Sequence, residues 1–342
     1  MDYQAPARVA SKTRVSAPSK PIEERSSSDL SYEDFFRDYV TAGKPVIVRN
    51  ATPLWPALRK WTPEFFKAQF PEKMVQVSYN EQMSFSEFID RVMASTEAEP
   101  GPYMYRLFLH EHLPEVLADL APQNPYAFPR RLASPLLLEY WRRPDGYLKL
   151  LIGGIGGRFP VMHFDAENAH ATITEIYGDK EFIVYAPSDT PYLYPSEKRV
   201  NHSAVDDPRN QDLESFPLLA RATQYRGLLH PGDMVFVPCK WWHTARALSP
   251  SISVGMNILA DSNWHGFVSE ICGPLEYRRP KKLFKRAYFE GLGPLLSALE
   301  AVQDKFPAVA DTLKLPRILA PNSSAVAPDP SLSPLKIRVQ TG

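Results

Sequence analysis

Apolar residues along this chain recur at helical spacing in the first half and at strand spacing in the second, with a helical return near the end. In SYEDFFRDYVTAG, Tyr32, Phe35, Phe36 and Tyr39 share one helical face, and Ser31 is placed to cap it. KPVIVRN reads as a strand. WTPEFFKAQF predicts a second helix, because Thr62 can accept from first-turn amides and Pro63 has the backbone angle a first helical residue needs. MVQVSYN returns to strand spacing, and MSFSEFIDRVMAS is a further amphipathic helix.

The second half consists of short β-type runs, YLKLLIGG, ATITEIYG, KEFIVYAP, RGLLHPGD, MVFVP and SISVGMNIL, separated by Gly, Pro and Asp turns. Strands this close together, with no helices between them, predict a β-sandwich or jelly roll rather than alternating βα units. KKLFKRAYFEGLGPLLSALEAVQDKF is helical again. Within it Leu295, Leu296, Leu299 and Val302 form one stripe, with Phe284, Tyr288 and Phe306 nearby. That surface must be covered, either by the chain's own body or by a second copy, and a homodimer through these C-terminal helices is the expectation. No repeat of fixed period is present.

The 342 residues, 44% of them hydrophobic, suffice for one large core. Residues 1–28 and 318–342, rich in Pro, Ser and Ala, read as disordered tails around a globular stretch at 29–270 and a helical segment at 271–317. With 39 basic against 39 acidic residues, no global field draws the chain to nucleic acid or an anionic membrane. Cys239 and Cys272 are too few for a disulfide framework and are expected as free thiols in a reducing compartment. No apolar run is long enough for a membrane span, and the N-terminus lacks a secretory core, so a cytoplasmic protein is expected, or a nuclear one in a eukaryote.

The chemistry begins at His163-Phe164-Asp165. In a strand, residues two apart point to the same face, so His163 and Asp165 can reach one metal. His243, in HPGDMVFVPCKWWHTAR, is the third candidate. Two imidazoles and one carboxylate on one face of an octahedral ion leave positions open, the arrangement of non-haem Fe(II) oxygenases. A lone H-x-D occurs by chance in many proteins. Its place before a Gly-turn-Lys hairpin, with PGD, VP and WWH downstream, is what singles this one out.

On LLIGGIGGRFPVMHFDAEN, YGDKEFIVYAP and LLHPGDMVFVPCKWWHTARALSPSISVGMN, the chain resembles the JmjC-type (cupin-like) hydroxylase family across residues 30 to 270. The resemblance implies a mainly β fold with flanking helices: a double-stranded β-helix of jelly-roll (cupin) type, helical N-terminal additions and a helical C-terminal extension. It also implies Fe(II) on His163, Asp165 and His243, with 2-oxoglutarate and dioxygen as cosubstrates. Lys180, in Gly178-Asp179-Lys180, matches the lysine that pairs with the distal carboxylate of 2-oxoglutarate. The physical sense is good, since a dicarboxylate entering an apolar barrel needs a cation at its far end. Tyr103 matches a tyrosine that reaches the same carboxylate, and Asn257 resembles a polar residue near the metal.

The chain departs from the family where Pro160 replaces a threonine and where Ala171 or Ile173 replaces an asparagine. Thr172 and Thr174 alternate with Ile173 and Glu175, and alternation leaves open which set faces the cavity. Tyr105 either touches substrate or is amphipathic core. Trp241 and Trp242 read as barrel wall, and His170, His202 and His230 as loop or core histidines. The basic run at residues 278–286 is a solvated helix face or a contact for RNA, an acidic partner or an import receptor. The implied activity is hydroxylation of a C–H bond, yielding succinate and carbon dioxide, with a protein or peptide substrate favoured over tRNA or a small molecule. The alternatives are a metal-binding cupin without oxygenase activity and a catalytically silent interaction module.

Overall fold

The computed structural model describes residues 17–312, apart from 79–80, 135, 138–147, 206, 210–211 and 274–279. Its strands are β1 (Ser19–Pro21), β2 (Glu23–Ser26), β3 (Val46–Arg49), β4 (Met74–Ser78), β5 (Glu81–Ser84), β6 (Tyr103–Phe108) and β7 (Lys149–Gly153). They continue with β8 (His170–Tyr177), β9 (Lys180–Tyr185), β10 (Gln224–Leu229), β11 (Met234–Val237), β12 (Trp242–Ala247) and β13 (Ser251–Ile258). One sheet runs β1-β10-β9-β12, a larger one β2-β3-β11-β8-β13-β7-β6, and β4-β5 is a separate hairpin. The two large sheets face each other as a jelly roll, the expected class.

Strand alternation sorts the side chains into layers. Ile47, Ala171, Ile173, Phe182, Val184, Leu229, Val235, Val237 and Ala245 meet between the sheets. The opposite face of the large sheet, with Val46, Val48, Leu150, Ile152, Phe236, Val254 and Met256, packs against the helices. The opposite face of the small sheet, with Ile183, Tyr185 and Trp242, is covered by Met162, Leu193, Val205 and Leu219 from loops. β8 reads as an almost unbroken buried run because both its faces are covered. This resolves the open question of parity: Ala171, Ile173 and Glu175 point into the barrel, and Thr172 and Thr174 point to the helical side.

The N-terminal helices start where their caps predict. Ser31 accepts from the Asp34 amide, Thr62 from Phe65 and Ser84 from Glu87. The helix Phe85–Ala94 buries Phe85, Phe88, Ile89 and Val92 on its apolar face. Both cysteines are free thiols, Cys272 being buried.

Two expectations need correction. Residues 19–26, placed in the N-terminal tail by composition, form β1 and β2, which extend the sheets by parallel pairing to β10 and β3. Backbone pairing at a sheet edge needs no apolar pattern, and Ile22 between the two strands is the buried anchor. The remaining tail residues, 1–16 and 318–342, lie outside the described residues. His163-Phe164-Asp165 is not part of a continuous strand, since His163 makes isolated bridges to His202 and His243.

The C-terminal helix Pro280–Lys305 docks on the helix Asp261–Cys272, with Leu292 and Leu296 buried and the Trp264 indole donating to the Phe289 carbonyl. Fully buried Arg131 ties it down from the other side, donating to Glu300 at 2.6 Å. The stripe expected to pair two copies is therefore divided, with Leu296 inside its own fold and Leu295 48% exposed. Of the basic run, residues 278–279 lie outside the described residues, and Arg286 pairs with Glu290. Among the described residues, no helix is long and apolar enough to cross a membrane.

Candidate active site

His243 is the second residue of β12, opposite Val184 of β9. Its peptide and that of His163 exchange both backbone hydrogen bonds, at 2.7 and 3.1 Å, which clamps the two histidines side by side. Asp165 follows on the same extended segment. One ligand atom from each of the three lies within 4.8 Å of the others. The Nδ1 atoms of His163 and His243 each lie 3.1 Å from a carbonyl two residues back, Val161 and Trp241 respectively. With Nδ1–H committed to a carbonyl, Nε2 carries the free lone pair, the tautomer a metal requires. Burial pushes His163 down to about 3, reinforced by His243 and opposed by Asp165, so it is neutral at physiological pH.

Asp165 is also held in its ligating form. Burial alone would raise its carboxyl, but His243, His163, Lys149 and the Asn257 hydrogen bond together bring it below the usual range. Asn257 Nδ2 donates to Asp165 Oδ2 at 3.0 Å, and Lys149 Nζ donates to Asn257 Oδ1 at 2.7 Å. The lysine thus fixes which way the amide points, and the amide fixes the carboxylate. The structure places Asn257 against Asp165, whose carboxylate it orients. Phe159 stacks on His163 with ring centres 4.1 Å apart, and Tyr105 packs on Phe159 at 4.5 Å. Tyr105 therefore stands one ring away from a candidate ligand.

Lys180 starts β9, inward-facing and fully buried. Its partner across the sheet is Ala247, and His243 pairs with Val184, so four residues of strand separate the triad from the lysine, about 13 Å. The turn that delivers it is tight: at Gly178, φ is +75° and an added Cβ would meet the Pro250 carbonyl oxygen at 2.1 Å. Only glycine fits there. Tyr103 lies beneath, its ring centre 5.6 Å from Nζ, and it approaches so closely because Gly153 has no side chain. The lysine already has a partner that sequence reading did not assign: Glu175 Oε2 lies 3.3 Å from Nζ, and neither side chain is exposed. Ser253 joins them, accepting from Nζ and donating to Glu175 Oε2 at 2.8 Å.

The expected site residues therefore form two clusters on one barrel interior: His163, Asp165, His243 and Asn257 at one end, Lys180 and Tyr103 further in. Parity groups Glu175 with Ala171 and Ile173 on β8, and the packing of the two sheets is what turns that set inward. The other expected positions fall elsewhere. Trp242 is buried on the outer face of the small sheet and donates to Thr190, while Trp241 donates to the Gly43 carbonyl. His170 is buried and accepts from the Cys239 amide, and His230 pairs with Asp179 at 2.7 Å.

The fold agrees with comparison to known proteins. A family profile described as a cupin-like domain matches residues 32–269, more than half of the chain. The chain belongs to the cupin-like Jumonji C family. It is 28% identical over 239 residues to Jumonji C domain-containing protein 5 of Drosophila melanogaster, covering 66% of this chain and 57% of that protein. It is 26% identical over 255 residues to tRNA wybutosine-synthesizing protein 5 of Gallus gallus, covering 69% and 76%. It is 25% identical over 263 residues to the bifunctional peptidase and (3S)-lysyl hydroxylase JMJD7 of Homo sapiens, covering 64% and 78%. Against the first of these the chain spans little more than half the relative's length. Jumonji C relatives are oxygenase-type enzymes that include hydroxylases and demethylases, and they typically use Fe(II) and 2-oxoglutarate.

The residues present fit a divalent metal: two imidazoles whose Nδ1 atoms face carbonyls so that Nε2 is free, and an oriented carboxylate held below its usual range, the donor set suited to Fe(II). They fit the distal carboxylate of 2-oxoglutarate on one condition. Lys180 faces an internal carboxylate, so the pair carries a net positive charge only when Glu175 is protonated. Burial makes that form accessible, raising the Glu175 carboxyl to about 7 against the opposing pull of Lys180 and the Ser253 hydrogen bond. Lys180 itself stays charged: burial would lower it, but Glu175 and Tyr103 hold it above its usual value.

Proposed function

We propose that this Jumonji C protein is an Fe(II)- and 2-oxoglutarate-dependent oxygenase that hydroxylates a C–H bond on a protein or peptide side chain. The observation that carries the reading is one barrel interior with a two-histidine, one-carboxylate triad at its mouth and a buried lysine further in. A cupin that merely stores a metal has no use for a cation sealed at that depth. His163, Asp165 and His243 would hold the metal, while Lys180 and Tyr103 would hold the distal carboxylate of 2-oxoglutarate. When bound, the two would supply, with dioxygen as oxidant, hydroxylation of a C–H bond, one oxygen atom going to the substrate and the other into succinate, with carbon dioxide released.

The chain's own part is positional. Lys149 and Asn257 keep Asp165 aimed, and the backbone clamp keeps the two imidazoles together. Phe159 and Tyr105 form an apolar wall beside His163 that excludes water from one side of the reacting centre. A cleft of about 470 Å³ lined by Phe164, Thr190, Pro195, Glu197, Val200 and Lys240 lies on the outer face of the small sheet, where Phe164 packs on Trp242, and so is not the entrance to the triad. A balanced overall charge, which offers no field for nucleic acid, favours a protein or peptide substrate. Pairing of two copies belongs to the same proposal: Phe284 and Leu295 on the C-terminal helix, with Phe306 just past its end, are eleven residues apart and exposed.

The test is formation of succinate from 2-oxoglutarate by the purified chain, followed by NMR with and without Fe(II), using peptide pools as substrates and mass spectrometry to find a gain of one oxygen. Metal-dependent succinate that disappears in His163→Ala supports the reading. Metal binding without succinate in any pool favours the storage cupin, and no metal binding favours the silent module.

A further inference from the structure

The pair Glu175–Lys180 sits where the oxygenase reading places a cosubstrate carboxylate. Glu175 lies two residues before the end of β8 and Lys180 opens β9, on either side of the Gly178 turn, and both side chains are wholly buried. The acid is held at one oxygen only. Oε2 accepts from Ser253 and faces Nζ, while Oε1 is buried and makes no hydrogen bond. A buried carboxylate oxygen with no partner is costly, and a proton on that oxygen would make it a donor in need of an acceptor.

We propose that Glu175 is part of the cosubstrate site: an internal carboxylate that holds Lys180 until a dicarboxylate enters, and that takes up one proton as the entering carboxylate replaces it on the lysine. In the bound state Oε1–H donates to the new carboxylate, and Lys180 donates to it from the other side. The proton comes from solvent, and no covalent bond changes. Two adjacent carboxylates cannot both stay ionised on one ammonium, whereas one carboxylate and one carboxylic acid can share it. The groups facing Glu175 are few. Lys180 approaches from β9, Tyr103 from β6 and Asp179 from the turn, with Ser253 from β13 as the neutral partner. Tyr103 is held above its usual value by burial, against the pull of Lys180, so it stays protonated and does not supply the second charge. Asp179 is tied to His230 at the surface.

The consequence is a preference written into the barrel. 2-Oxo acids with a distal carboxylate bind with proton uptake and more weakly as pH rises, whereas those with an uncharged tail do not take up the proton. The proposal rests on the oxygenase reading and can be separated from it. Calorimetric titration of 2-oxoglutarate into the full chain loaded with Mn(II), in two buffers of different ionisation enthalpy, counts the protons. At about pH 8, above the Glu175 value of about 7, uptake of about one proton is expected, falling towards zero at about pH 6 where the acid is already protonated. 2-Oxobutanoate, which lacks the distal carboxylate, should bind without that uptake. Glu175→Gln should bind 2-oxoglutarate with no uptake at either pH. Binding of 2-oxoglutarate without uptake at the higher pH, or equal uptake with 2-oxobutanoate or in the glutamine variant, overturns the role of Glu175 and leaves the oxygenase reading standing. No binding of 2-oxoglutarate to either protein overturns both.

Discussion

Replacing Lys180 by methionine keeps the reach of the side chain and removes its charge. The ammonium lies 3.3 Å from Glu175 Oε2 in a site with no solvent exposure. Removing one member of such a pair costs roughly 3–5 kcal/mol when the other stays charged. Glu175 need not stay charged. Burial has already raised its carboxyl from 4.5 to about 7 with the lysine present, and without the lysine it rises further. Stability linked to a raised carboxyl is fully present below its unfolded value and is lost as pH climbs through the folded one. At about pH 5 Glu175 is therefore protonated in both proteins and the substitution costs least. Above its native value of about 7 the native protein ionises Glu175 against Lys180 while the variant holds on to its proton. The gap then widens by up to about 1.4 kcal/mol per pH unit. Urea unfolding of both proteins at about pH 6 and about pH 8 should show a destabilisation larger at the higher pH by up to about 1.4 kcal/mol. Adding Glu175→Gln to the variant should cancel that difference. A loss independent of pH, or a double variant as pH-sensitive as the single one, would refute the reasoning.

Asn257→Ala removes the donor to Asp165 and should weaken Mn(II) binding by about 10–100-fold with the fold intact, as read by calorimetry and circular dichroism. Unchanged affinity would show that Asp165 needs no orienting group. Leu296→Arg places a charge at a fully buried position and should unfold the C-terminal helix, seen as a lower midpoint in thermal unfolding. Leu295→Arg, at a position 48% exposed, should change stability by no more than about 0.5 kcal/mol and convert a dimer to a monomer in light scattering. A native chain that runs as a monomer at micromolar concentration sinks the dimer.

The parts of the site that were legible in the sequence are those where local chemistry announces itself. The H-x-D triplet, the histidine after two tryptophans and the Gly-Asp-Lys hairpin each carry a physical constraint that survives in the structure, such as the positive φ of Gly178. Glu175 was not legible, because a two-residue period says that alternate residues share a face and not which face is inside. That choice is made by the small sheet covering one face of the large sheet and the helices covering the other. β1 and β2 were hidden for a different reason: they are held by parallel backbone pairing, and SKP and EERS carry no apolar alternation to reveal it. The Lys149–Asn257–Asp165 relay joins three segments far apart in sequence, and no spacing rule connects them. The C-terminal stripe was visible as apolar, yet its division between Leu296 and Leu295 depends on where the helix Asp261–Cys272 lies against it.

The most direct test of the site as a whole is anaerobic titration of 2-oxoglutarate into the Fe(II)-loaded chain, followed by the visible charge-transfer absorption that arises only when a 2-oxo acid chelates Fe(II). A saturable band at about one equivalent of metal is expected for the native protein. The band should be lost in Asp165→Ala and require much higher 2-oxoglutarate in Lys180→Met. No band in the native protein, or an equal band in Asp165→Ala, would contradict the assignment of this barrel as an Fe(II) and 2-oxoglutarate site.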